Sequence, residues 1–198
     1  MNWTHGHNNT IHNGISRIGF YTGGHKARFR DEDLADKWVE KSKEWIGKNR
    51  ENPFFLFFAF PSPHAPIIPN DEFDGKSDAG PYGDFVFETD DACGRILKAL
   101  DQSGQAENTV VIFTADNGPE KYAYRRDEVF DHWSAEPFRG LKRDIYEGGH
   151  HVPFIVKWPG LTKAGSVCDK LVSQIDFMAT FASALDHPLP RNAAEDSH

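Results

Sequence analysis

Seven consecutive apolar residues, Phe54-Phe55-Leu56-Phe57-Phe58-Ala59-Phe60, stand between Pro53 and Pro61 with no polar residue among them. A strand with one face in water alternates apolar and polar side chains. An unbroken run of strand length therefore calls for cover on both faces, as a central parallel strand has. The flanking prolines deny the chain further ladder bonds and fix the limits of the run. Thr109-Val110-Val111-Ile112-Phe113 has the same β-branched and aromatic bias and is stopped by Gly118-Pro119. Val152 to Trp158 makes a further strand, stopped by Pro159-Gly160.

Helical periodicity fills the intervals. Asp31-Glu32-Asp33 is an acidic helix start, and Leu34, Trp38, Lys41, Trp45 and Ile46 continue at helical spacing to about Lys48. Phe85 to Leu100 reads as a helix closed by Ser103-Gly104, and a last helix runs from about Gln174 to Leu185. Segment 70–82 is polar, and 119–138 reads as a long, charged, irregular loop. Strands alternating with helices give an α/β fold, a mostly parallel sheet flanked by helices. The first 30 residues, rich in Gly, His and Asn, read as a loop. His5, His7 and His12 raise the question of zinc there, but no helix fixes their spacing and a solvated loop is the simpler reading.

Composition narrows the partners. A net charge of −8 and the lack of a Lys/Arg stripe exclude a nucleic-acid binder. No apolar stretch approaches the roughly 18 residues needed to span a bilayer, so no membrane segment is visible. Cys93 and Cys168 have neither CxxC nor zinc spacing and are expected as buried free thiols.

In open α/β sheets ligands collect beyond the carboxyl ends of strands. Thr114-Ala115-Asp116-Asn117-Gly118-Pro119 places a carboxylate and an amide carbonyl there, hard oxygens that suit Ca²⁺ or Mg²⁺ better than zinc. An Asx turn would give the same short pattern. His64 follows the aromatic run in Pro61-Ser62-Pro63-His64-Ala65-Pro66, and Lys142 closes Arg139-Gly140-Leu141-Lys142. Singly these read as a capped histidine, a turn and a solvated lysine; together they make oxygen ligands, a cation and a proton donor.

With Pro63-His64-Ala65-Pro66, Thr114 to Pro119, Arg139 to Lys142 before Tyr146-Glu147-Gly148-Gly149, and Val172 to Phe177 in this order, the chain resembles the sulfatase family. These are the formylglycine-dependent arylsulfatases of the alkaline phosphatase-like superfamily. Ile18 to Gly24 also looks like a segment of bacterial members. The resemblance implies that Asp116 and Asn117 ligate a divalent cation, usually Ca²⁺ with Mg²⁺ as the alternative. It sets Lys142 and His64 on the sulfate and the bridging oxygen of an aryl or carbohydrate sulfate ester. A sulfate ester reacts with charge spread over its peripheral oxygens and building on the leaving oxygen, which a cation, an ammonium and an imidazolium answer. Arg139 and Glu147 are read as partners that orient these groups. Family habit is export to the periplasm or outside; nothing in the chain speaks to oligomeric state.

The pattern also departs from the family. Its nucleophile, a hydrated formylglycine, is made from a Cys/Ser-x-Pro/Ala-x-Arg motif, and neither Cys93-Gly94-Arg95 nor Cys168-Asp169-Lys170 fits it. The expectation is therefore a partial catalytic domain over 1–198, lacking the amino-terminal nucleophile-bearing part and the carboxyl-terminal subdomain. Such a chain would bind Ca²⁺ weakly, turn over no ester and expose apolar sheet edges. His151 stands where many relatives have arginine. Rival readings are a phosphatase or phosphonate hydrolase of the same superfamily, and a non-catalytic module binding sulfated glycans, which the negative charge opposes.

Overall fold

The structure, a computed structural model, describes residues 31–194, 196 and 197. His5, His7, His12 and the 18–24 segment lie outside them. The chain divides into two compact units, one running to Pro159 and one starting at Gly160.

In the first unit a 3-10 turn at Asp31–Asp33 leads into helix α1, Leu34–Asn49. Ala35, Val39, Ser42 and Ile46 recur at helical spacing and form its buried stripe. Trp38 and Trp45 meet the aromatic run edge-on, with ring centroids 5.8 Å from Phe58 and 5.3 Å from Phe54. Phe54, Leu56, Phe58 and Phe60 are half-buried on that side, whereas Phe55 and Phe57 are 71% and 80% exposed. The run is thus extended with one covered face, and 54–60 forms no strand ladder among the described residues.

Strand β1, Val111–Thr114, pairs with β2, Phe154–Lys157, in register Val111↔Lys157 to Thr114↔Phe154. The pairing is antiparallel, which corrects the expectation of parallel neighbours for these strands. Residues 115–153 join the two strands, and this long connection closes on itself just beyond the ladder, where Gly118 N–H donates to Gly149 O at 2.9 Å.

Helix α2, Gly80–Gln102, is longer than the periodicity suggested, because Pro81 sits at its first turn, where a missing N–H costs nothing. Its buried face includes two acids, Asp84 and Glu88, one turn apart. Asp84 accepts the backbone N–H groups of Gly75 (3.0 Å) and Ser77 (2.8 Å). At the other end Ser103 N–H donates to Ala99 O and Gln105 N–H to Leu100 O, closing the helix as Ser103-Gly104 implied. An exposed Arg95–Asp36 pair at 2.6 Å links α2 to α1, a contact of at most about 1 kcal/mol.

The 119–138 segment is not irregular throughout: it carries helix α3, Tyr122–Phe130. Charged residues on every side hid the pattern, because only Ala123 and Arg126 are buried. The Arg126 guanidinium lies 3.7 Å above the Tyr82 ring and its Nε donates to Ser134 Oγ at 3.0 Å, so α3 is held to the start of α2 by a stacked cation. Burial pulls the Arg126 pKa down from its ordinary value.

The second unit holds a 3-10 turn, Gln174–Asp176, and, after the single-turn helix α4 (Glu147–His150) of the first unit, helix α5, Phe177–Ala184. Ser173 and Asp176 form a capping box, and Phe177 stacks on Phe181 at 5.9 Å. No residue of α5 is buried. Among the described residues no helix is long and apolar enough to cross a membrane.

Both cysteines are free, but only Cys93 is half-buried; Cys168 is exposed, against the expectation of two buried thiols. Burial, with Asp90 second, pushes the Cys93 thiol up from its ordinary value, so less of it is thiolate. A thiol-reactive dye should label Cys168 well before Cys93, read by peptide mass mapping of a time course. Truncating the 2%-exposed Ile46 to alanine should cost about 2–5 kcal/mol in urea unfolding.

Candidate functional site

The expected ligands stand where β1 ends. Asp116 is exposed and Asn117 half-buried, immediately beyond the last ladder pair, Thr114↔Phe154. Asn117 Nδ2 donates to the Gly118 carbonyl at 2.9 Å, which engages one N–H of the amide.

Backbone bonds then gather three loops. Gly118 N–H donates to Gly149 O (2.9 Å), Lys142 N–H to Pro119 O (2.8 Å) and Gly148 N–H to Arg139 O (2.8 Å). This close approach needs glycine: a Cβ on Gly118 would run into the Gly148 carbonyl, and one on Gly148 into the Gly140 carbonyl. Residues more than 20 apart in sequence, Asn117-Gly118-Pro119 and Leu141-Lys142, thus become neighbours through main chain alone.

Lys142 sits in a tight turn. Leu141 N–H donates to Asp144 Oδ2 (2.8 Å) and Asp144 N–H returns to Leu141 O (2.9 Å). The turn holds Arg143 at φ 81°, a left-handed conformation that a residue with a Cβ adopts at a cost of roughly 1 kcal/mol or more. Arg143 also reaches Glu120 at 3.2 Å, a second tie across the same gap. The Lys142 side chain is half-buried.

His64 is exposed in the turn after the aromatic run, its backbone N–H bonded to Pro61 O at 3.0 Å. Its Nδ1 lies 2.7 Å from the Ala65 carbonyl, an acceptor only, so Nδ1 carries the hydrogen and Nε2 is the end left for another partner. Among the described residues no hydrogen bond or ion pair joins His64 to Asp116, Asn117 or Lys142. The structure therefore ties the Lys142 backbone to Pro119, two residues beyond Asn117, and holds His64 by its own turn.

The residues read as orienting partners show contacts of their own. Arg139 lies over the Tyr146 ring at 4.1 Å, and the two loops it links are those that flank Lys142. His151 stacks on Phe138 at 4.2 Å and meets Glu147 Oε2 at 2.6 Å. A flat, nitrogen-bearing ring thus does at this position what a guanidinium could, stacking and reaching a carboxylate at once. Tyr146 and Phe138 are participants that sequence reasoning passed over; their aromatic character in a Gly-rich loop was the available signal.

The sequence model of the sulfatase family matches residues 3–187. The chain belongs to the sulfatase family. It is 43% identical over 196 residues to an N-acetylgalactosamine-6-O-sulfatase of Bacteroides thetaiotaomicron, covering 97% of this chain and 38% of that protein. An N-acetylgalactosamine-6-sulfatase of Rattus norvegicus is 40% identical over 155 residues, 77% of this chain and 29% of that protein. A solved structure from work on glycosaminoglycan metabolism by Bacteroides thetaiotaomicron superposes with a TM-score of 0.82 at 42% identity, over 98% of this chain and 41% of that one. The chain thus spans well under half the length of these relatives, and its fold is the α/β, alkaline phosphatase-like one.

For a divalent cation the donor set is chemically apt and incomplete. Asp116 and the Asn117 amide are two oxygen donors where Ca²⁺ takes about six to eight, and no group of three or more His, Cys, Asp or Glu among the described residues is arranged to hold a metal. Gly118→Ala should break the Gly118–Gly149 bond and cost about 1–3 kcal/mol in chemical unfolding, with the loss of protection centred on Gly118, Lys142 and Gly149 in amide exchange.

Proposed function

We propose that this sulfatase provides the leaving-group side and cation-binding edge of a site that cleaves sulfate esters of carbohydrates. The observation that supports this is the main-chain junction binding Lys142 N–H to Pro119 O and Gly118 N–H to Gly149 O, which ties the backbone of the Lys142 loop to the loop carrying Asp116 and Asn117. The relatives named for N-acetylgalactosamine-6-sulfate point to a 6-O-sulfated amino sugar as the substrate class.

Each residue has a distinct task. Lys142 neutralises charge on the peripheral sulfate oxygens, as an ammonium on a turn of fixed geometry can. His64, as the imidazolium, keeps Nδ1–H on Ala65 O and gives the proton on Nε2 to the bridging oxygen as the alcohol leaves, ending as the neutral Nδ1–H ring. Asp116 and Asn117 would hold a divalent cation, Ca²⁺ before Mg²⁺, which when bound supplies positive charge to the same oxygens. Asp144 and Glu120 set the Lys142 turn. The family's attacking group is made from a motif these 198 residues do not contain, so they account for binding, charge neutralisation and protonation and not for attack on sulfur.

Titration calorimetry of the 198-residue chain should give a weak Ca²⁺ isotherm, in the range of about 10⁻⁴ to 10⁻³ M, that Asp116→Ala abolishes. Binding of N-acetylgalactosamine 6-sulfate, followed by NMR, should weaken about tenfold or more in Lys142→Ala, consistent with loss of one charge-assisted contact. Equal affinity for the 6-phosphate would favour a phosphatase, and hydrolysis of the sulfate by the unmodified chain would overturn this division of tasks.

A further inference from the structure

We propose that Asp84 and Glu88, buried carboxyl groups one turn apart on α2, are positioning residues that anchor the Asn70–Ser77 segment and thereby fix the imidazole of His64. The role assigned to His64 rests on the sulfatase reading; the anchoring does not.

The two acids take opposite ends of one segment. Asp84, 2% exposed, accepts Gly75 and Ser77 N–H, and Ser77 Oγ in turn accepts Ala79 N–H at 3.1 Å. Glu88, 3% exposed, has the backbone and side chain of Asn70 as polar neighbours, and Asn70 starts the 3-10 turn Asp71–Phe73 through the Phe73 N–H to Asn70 O bond. Ile68 and Phe73, at either side of Asn70 in the chain, are both buried. Between Asn70 and His64 stand Pro69 and Pro66, with Pro63 just before, so each ring removes a backbone rotation and displacement at Asn70 is passed along a stiff link. Neither acid is used by the chemistry proposed above, yet both are buried, a costly placement unless it fixes something.

Glu88 also makes the anchor sensitive to charge. Its Oε2 is buried with no hydrogen-bond partner. Asp36 of α1 and Glu72 of the 3-10 turn face it with like charge. The nearby cations are engaged elsewhere: Arg95 pairs with Asp36 and Asp91, and Lys76 lies over the Phe73 ring at 5.0 Å. Burial, against the backbone and side chain of Asn70, pushes the Glu88 carboxyl up to about 7 from 4.5. The folded value is the higher one. The uncharged acid therefore costs the fold nothing below about pH 4.5, the penalty grows as pH rises through about 7, and it is complete above that.

Amide exchange and the His64 imidazole resonances of the 198-residue chain test this without any sulfate present. Asp84→Ala should speed exchange at Gly75 and Ser77 by about tenfold or more and shift the His64 ring signals, with Asp84→Asn, which keeps one acceptor oxygen, recovering part of both. In the unmodified chain, protection over 68–77 should fall between pH 6 and 8 beyond the intrinsic rate change, and Glu88→Gln should remove that fall. Faster exchange at Gly75 and Ser77 with unmoved His64 signals would overturn the proposal, as would an identical pH course in Glu88→Gln. If Asp84→Ala does not fold, the isosteric Glu88→Gln comparison decides alone. Failure of this test leaves the Lys142 and Asp116 binding experiments unaffected, and failure of those leaves the anchor standing.

Discussion

The site proposed for this chain depends on the contact of Gly118 with Gly148 and Gly149. Two stretches of main chain approach so closely there that a single methyl group would part them, and the Gly118–Gly149 hydrogen bond closes the gap. That contact closes the long connection just beyond the antiparallel β1–β2 pair, and next to it Lys142 N–H is bonded to Pro119 O. Because the bond is between backbone groups, it can be kept while side chains around it vary. The arrangement separates geometry, set by glycines, from chemistry, set by Asp116, Asn117 and Lys142.

Much of this was legible in the amino-acid order. Helix α1 and the Ser103-Gly104 stop follow local rules and read out locally, although the spacing of Leu34, Trp38, Lys41, Trp45 and Ile46 shares only Ile46 with the buried stripe Ala35, Val39, Ser42 and Ile46. The blocks around Asp116-Asn117 and Lys142 stood out in sequence as polar residues beyond strand stops, and the Lys142 N–H to Pro119 O bond that ties them did not. What could not be read was whatever depends on neighbours far along the chain. Phe54 to Phe60 looks symmetrical in sequence, and only α1, with Trp38 and Trp45, decides which alternate residues are covered. Helix α3 was hidden for the converse reason: its anchor is a charged residue, Arg126, whose place is set by Tyr82 some 44 positions earlier.

The two buried acids on α2 illustrate the same limit from the other side. In sequence, Tyr82-Gly83-Asp84 to Asp91 is a helix with an acidic face, and an acidic face ordinarily belongs in water. Asp84 is buried because its carboxylate accepts two backbone N–H groups, those of Gly75 and Ser77. Burial of polar groups is decided by such complementarity and not by polarity alone. His64, by contrast, owes its tautomer to the very next residue, Ala65, the kind of neighbour a sequence does reveal.

One consequence of the aromatic run concerns the chain before it is folded. A seven-residue apolar stretch with high β propensity and no charge is the composition of a steric zipper, able to stack with its own kind in cross-β fashion. Pro53 and Pro61 bracket it, and a proline cannot donate to such a stack, so they act as gatekeepers that confine any misassembled core to the residues between them. The same two residues that bound a structural element in the native chain thus also cap the length of its most hazardous alternative.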